Sequence, residues 1–176
     1  MFKPPFNKLL PRLADPRKFA QQGVLLEGFI PVADLPRMVG VAQESAGNIQ
    51  VALEFGLNET KKRVIKGHAS ANLVLVCQRC LEPVSVPVES EISLAIVWDE
   101  DAAKAVPQYL DPWIVGEGAA DLYAMVEEEL LLSLPAVAYH QEPCIDSRLL
   151  SSGTPVEVKK ERNPFQVLEH LKSSPK

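Results

Sequence analysis

The sequence predicts an α+β fold: a curved antiparallel sheet, or a partly closed β-barrel, with one main helix packed on it. Three observations predict it. In residues 49–57, Ile49, Val51, Leu53, Phe55 and Leu57 fall on one face, the period of a half-buried strand. Val84, Val86, Val88, Ile92, Leu94, Ile96 and Trp98 keep one parity through a second long strand. Residues 121–134 (DLYAMVEEELLLSL) carry the clearest helical pattern, with Leu122, Met125, Val126 and Leu130 in one stripe.

The remaining elements follow in chain order. Residues 23–32 (GVLLEGFIPV) read as a strand bounded by Gly and Pro. Asp34 caps a short helix with Leu35, Met38, Val39 and Ala42 at helical spacing. A polar turn at 58–62 leads into residues 64–77, long enough for one bent strand or two. Glu82-Pro83 turn the chain, and Pro87 lacks a ladder donor, so the 84–98 strand is an edge or bulge there. Residues 99–120 read as an acidic, irregular connection. Asp121 caps the main helix and Pro135 ends it. Residues 151–162 form a linker, after which Asn163-Pro164 start a short helix with Phe165, Leu168 and Leu171 at spacing three. The organisation is a basic arm (1–22), one α+β domain (23–150) and a linker with a terminal helix (151–176).

A chain of 176 residues can bury a core without disulfides or metal. Hydrophobic content of 47% with 23% charged residues excludes a disordered chain, a coiled coil and a collagen. The net charge of −5 conceals a polarity: residues 1–20 carry +4 and residues 81–150 carry −12. Such a block attracts basic partners, a ribosomal protein for example, and repels a phosphate backbone. No stretch reaches the ~18 apolar residues of a membrane span. The basic N-terminus has no apolar core of a secretory signal, so a cytoplasmic protein with no membrane role is expected. Three cysteines are an odd number outside any secretory context, which favours reduced thiols or metal ligands.

The strongest local signal is Cys77-Gln78-Arg79-Cys80, half of a zinc knuckle on the turn between two strands. His140 and Cys144 lie four residues apart just after the main helix. Together Cys77, Cys80, His140 and Cys144 would make a tetrahedral Cys3His zinc site if the fold joins the pairs. Two other readings stay open. A redox pair needs the C-x-x-C at a helix N-terminus, whereas both flanks here are strands. Small residues in a turn need no ligand at all.

His68 and His170 have no nucleophile motif beside them. No G-x-S-x-G, Walker A or G-x-G-x-x-G occurs, so nothing supports an enzyme. Lys61, Lys62, Arg63 and Lys66, with Arg79 on the CQRC turn, form a candidate RNA-binding tip. No aromatic platform interleaves them, so base stacking is not indicated and a solvated hairpin tip competes. Glu129 falls inside the helix stripe. A carboxylate there is bonded to a core cation or backbone group, or serves a contact surface. With Phe165, Leu168 and Leu171 it is the candidate partner-binding set.

LADPRKFAQQG near the start, LVCQRCLEPV, DLYAMVEEELLLSLPAVAYH followed by Cys144, and NPFQVLEHLK near the end resemble the YceD family. These are the large ribosomal RNA subunit accumulation proteins. The blocks run from about residue 13 to 172, nearly the whole chain. Some members carry a further cysteine near the Cys144 position, and in this chain only His140 could take that place. The resemblance implies a cytoplasmic bacterial protein needed for synthesis, processing or stability of 23S ribosomal RNA, with no known reaction. Such a non-enzymatic factor would contact RNA locally or adapt to a basic ribosomal protein. The alternative class is a zinc-dependent or thiol-based RNA-processing enzyme.

Overall fold

The computed structural model describes residues 6–43 and 47–146. The chain divides into two units, Met1–Cys144 and Ile145–Lys176. The described elements lie in the first; the expected linker and terminal helix, with Phe165, Leu168 and Leu171, lie outside the described residues.

Asp15 accepts the N–H groups of Arg17 and Lys18, both at 3.1 Å, and so starts α1 (Pro16–Gln22). Gly23 ends the helix at φ 64°, which a side chain would disfavour. The segment expected as a basic arm is therefore folded into the domain from Leu10 onward. Leu10 is buried, β1 (Leu13–Ala14) pairs with β7 (Ala120–Asp121), and Phe19 meets Phe55 edge-on at 5.5 Å.

β2 (Leu25–Pro31), β3 (Asn48–Leu57), β4 (Arg63–Val76) and β5 (Pro83–Val97) form an antiparallel meander. Alternation drives it: Ile49, Val51, Leu53 and Phe55 of β3 are fully buried, while Leu57 at the strand end is exposed. The stretch after the polar turn is one strand. Gly67 lets β4 lie against β3, because a Cβ there would strike the Ala52 carbonyl. β5 passes through Pro87 unbroken. Its outer neighbour β6 reaches only Leu94 to Val97, so Pro87 sits on an edge where no donor is needed.

Two expectations need correction. Of the two forms expected, a curved sheet or a partly closed barrel, the sheet in the order β2-β3-β4-β5-β6 shows no closure. Nor is it purely antiparallel, since β6 (Asp111–Ile114) runs parallel to β5. Residues 99–120 are also less irregular than expected. Asp99 caps α3 (Glu100–Lys104), and this short crossover returns the chain in the direction of β5. The helix expected after Asp34 is one turn of 3-10 helix and then α2 (Pro36–Val39), with Met38 fully buried.

The main helix, α4 (Leu122–Leu132), begins where predicted: Asp121 accepts from the N–H groups of Tyr123 and Ala124. Leu122, Met125, Val126 and Leu130 join α1 and one sheet face in the principal core. On the other face a smaller cluster (Val64, Ala95, Val97 and Leu110) lies beneath Ala102, Ala103 and Val106.

Candidate metal centre

The β4–β5 turn holds the first pair of ligands. Cys77 ends β4 with its N–H donated to the Glu82 carbonyl, and its own carbonyl accepts from Leu81. Leu81 takes φ 64°, the left-handed twist that closes a tight knuckle. Gln78 N–H donates to the Ala138 carbonyl at 2.8 Å. That bond docks the chain after α4 beside the turn and delivers His140 and Cys144.

All four donor atoms lie within 4.8 Å of one another. Cys77 Sγ and Cys144 Sγ are 3.7 Å apart, and Cys80 Sγ is 3.4 Å from His140 Nδ1. Tetrahedral zinc, with bonds of about 2.3 Å to sulfur and about 2.0 Å to nitrogen, sets edges of roughly 3.8 and 3.5 Å. The donor set therefore fits that ion. His140 Nε2 lies 3.1 Å from the Pro83 carbonyl. A carbonyl can only accept, so Nε2 donates, which leaves Nδ1 as the nitrogen available to a metal.

Burial pushes the Cys77 thiol up, but backbone N–H groups of Cys80, Arg79 and His140 outweigh it and hold the pKa at about 5. Burial also raises Cys144, and the Arg79 guanidinium brings it below its ordinary value. Cys80 has the Glu82 N–H to lower it, yet burial and the neighbouring thiolates leave it raised. Hydrogen bonds to Cys144 and Cys77 raise His140. The Cys77 sulfur is thus poised as a thiolate, the form that binds a metal, and Cys144 is shifted in the same direction.

Of the candidate RNA-binding residues, Lys61, Lys62 and Arg63 line one cleft, while Lys66 and Arg79 lie apart from it. Arg79 belongs to the metal centre: Nε donates to Cys144 Sγ at 3.1 Å, and one terminal nitrogen donates to the His140 and Glu142 carbonyls at 2.7 and 2.9 Å. Lys61, Lys62 and Arg63 sit at the far end of β4, which spans about 45 Å along its 14 residues. Lys66 stands mid-strand opposite Glu54. His68 is exposed on β4, and His170 lies outside the described residues.

Glu129 does not enter the core. It lines a groove of 610 Å³ between β6 and α4, close to Asp111 and Glu128. Glu127 is the buried carboxylate, accepting from the N–H groups of Arg37 and Met38 at 2.8 and 2.9 Å. Sequence reasoning missed it, because which flank of α4 faces α2 is a tertiary matter. Trp98 was also missed: expected on the core face, it stands half exposed beside Arg17 and Arg63.

Fold and site together define an α+β sheet protein whose β4–β5 tip carries a Cys3His donor set of the structural zinc type. The family model described as "Large ribosomal RNA subunit accumulation protein YceD" matches residues 65–172. The Haemophilus influenzae protein of that name is 35% identical over 167 residues, covering 93% of this chain and 96% of its own length. The chain belongs to the YceD family. No solved structure matches it. No helix among the described residues is long and apolar enough to cross a membrane.

Proposed function

We propose that this chain is a non-enzymatic cytoplasmic factor supporting the synthesis, processing or stability of 23S ribosomal RNA. The observation that carries this reading is similarity to the Haemophilus influenzae protein across 93% of the chain. The donor set argues for the non-enzymatic part. Cys77, Cys80, His140 and Cys144 together would supply all four ligands of a tetrahedral ion, whereas catalytic zinc sites keep one position for water or substrate. Zinc held by these four residues supplies a staple between the β4–β5 tip and the chain after α4. Local RNA contact falls to Lys61, Lys62 and Arg63, away from the metal. A second reading, an adaptor for a basic protein segment, is favoured by the groove where Asp111, Glu128 and Glu129 converge.

Depleting the protein from cells tests the function directly. A fall in 23S relative to 16S ribosomal RNA is expected, and an unchanged ratio sinks the proposal. Metal analysis of purified protein should give one zinc per chain, lost in Cys77→Ser. Precursor RNA incubated with the protein should survive intact. Cleavage that a chelator abolishes would establish the zinc-enzyme alternative instead.

A further inference from the structure

At the end of β4 opposite the metal centre, cations and an indole meet at a cavity. Lys61, Lys62, Arg63 and Trp98 line a cleft of 310 Å³ that Val97 and Val106 make apolar. Trp98 is 49% exposed. The Arg17 guanidinium lies 3.9 Å from the centre of its ring, fixing the plane of the indole, while Arg63 stands off at 5.5 Å.

These cations lack counter-charges. Among the described residues, ion pairs join Arg12 to Asp121, Arg37 to Glu128 and Lys104 to Asp101, and none reaches Arg17, Lys61, Lys62 or Arg63. Arg17 spends its terminal nitrogen on the Val115 and Gly116 carbonyls, and Lys62 donates one hydrogen bond to the Ala105 carbonyl. The Nε atoms of Arg17 and Arg63 have no hydrogen-bond partner. A chain of net charge −5 with carboxylates to spare thus leaves four cations unneutralised around one half-exposed indole.

We propose that this cleft takes one unpaired nucleotide of RNA, its base against Trp98 and its flanking phosphates on Lys61, Lys62 and Arg63. The volume sits at the lower end of small-ligand clefts, about 300 Å³ upward. An acidic peptide would use the cations but not an apolar cavity walled by an indole. A double helix would offer phosphates with its bases stacked away, so single-stranded or bulged RNA fits best. The inference rests on the reading that the chain acts at ribosomal RNA, and it names the contact.

Trp98 and Trp113 are the two tryptophans, so Trp113→Phe leaves Trp98 as sole reporter. Titrating this variant with a single-stranded RNA octamer should quench its fluorescence, and a duplex of equal length should quench it less. Trp98→Ala should lose roughly 5- to 100-fold in affinity, the range for one stacked base. Trp98→Phe should recover most of that loss, which guards against misfolding. The slope of log affinity against log salt should stay unchanged in Trp98→Ala. It should fall by about 2 in Lys61→Gln/Lys62→Gln/Arg63→Gln, from roughly 0.7 per phosphate contact. RNA binding with no quench and no response to Trp98→Ala overturns the nucleotide site and leaves the ribosomal RNA role standing. Equal binding and quenching by a polyglutamate peptide overturns it as well, making the cleft a general anion surface. If the octamer does not bind at low salt the site is refuted, and the 23S to 16S ratio judges the broader role separately.

Discussion

Arg79 shows how a residue's role can be misread from its type. Its charge and its neighbours make it a candidate for phosphate. In the fold its Nε and one terminal nitrogen are committed to Cys144 Sγ and to two carbonyls of the 140–142 segment, and its guanidinium lies 5.6 Å from the Tyr139 ring centre. It acts on the loop that delivers two ligands. Arg79→Gln should weaken zinc binding by about 10- to 100-fold, the usual effect of removing a partner behind a ligand. Competition against a chromophoric chelator reads this, and an unchanged affinity means the loop holds itself. The salt slope of RNA binding should not move, because Arg79 stands at the other end of β4. The four clustered residues were legible because two thiols at knuckle spacing, with a later His and Cys, make a donor pattern that needs only one tertiary contact to join. Arg79 was not, since its partners lie more than 60 residues away.

The elements divide by what specifies them. α4 was readable because its signals are local: an Asp cap, apolar residues at helical spacing and a closing Pro. β3 and β5 were readable from period two. α3 and β6 were not, because each is four or five residues long and is stabilised by docking on β5. Which carboxylate of α4 is buried was equally unreadable. Glu127 joins α4 to α2 by capping the N–H groups of Arg37 and Met38. Glu127→Ala strands the buried Met38 donor and the part-buried Arg37 donor and should cost about 1–3 kcal/mol, seen as a fall of several degrees in Tm. Glu127→Gln keeps an acceptor oxygen and should cost less than half as much. Equal losses for both variants would mean that the negative charge, not the hydrogen bonds, joins the helices.

Across the whole molecule the charges sort themselves. The cleft of Lys61 to Arg63 marks one surface, and Asp111, Glu128 and Glu129 crowd another. Burial and then the charges of Asp111 and Glu128 push the Glu129 carboxyl above its ordinary value. A group raised on folding contributes stability below its unfolded pKa and loses it as pH rises through the folded one. Glu129→Gln should therefore raise Tm at pH 7, and the advantage should shrink as pH falls through the carboxylate range. Thermal melts from pH 3 to pH 8 check this. A Tm gain that is flat with pH would assign the effect to packing. Occupation of the groove by a basic peptide should likewise shrink the gain, because the peptide neutralises the same charge.

Read alone, the residues gave the α+β class, the strands β2, β3 and β5, the start of α4, the Cys3His set that comes together in the fold, and the family. Each rests on short-range periodicity, on rare residue types or on motifs read in order. The open sheet with its parallel edge emerges from long-range packing, as does the burial of Glu127 while Glu129 lines a groove. Only the tertiary structure placed Arg79 on the metal centre and Trp98 among unpaired cations. The reason is physical: strand and helix periods fix which side chains share a face, whereas the partner of that face comes from distant chain. For this protein the distant partners are the 138–144 segment at one end of β4 and the 95–106 segment at the other.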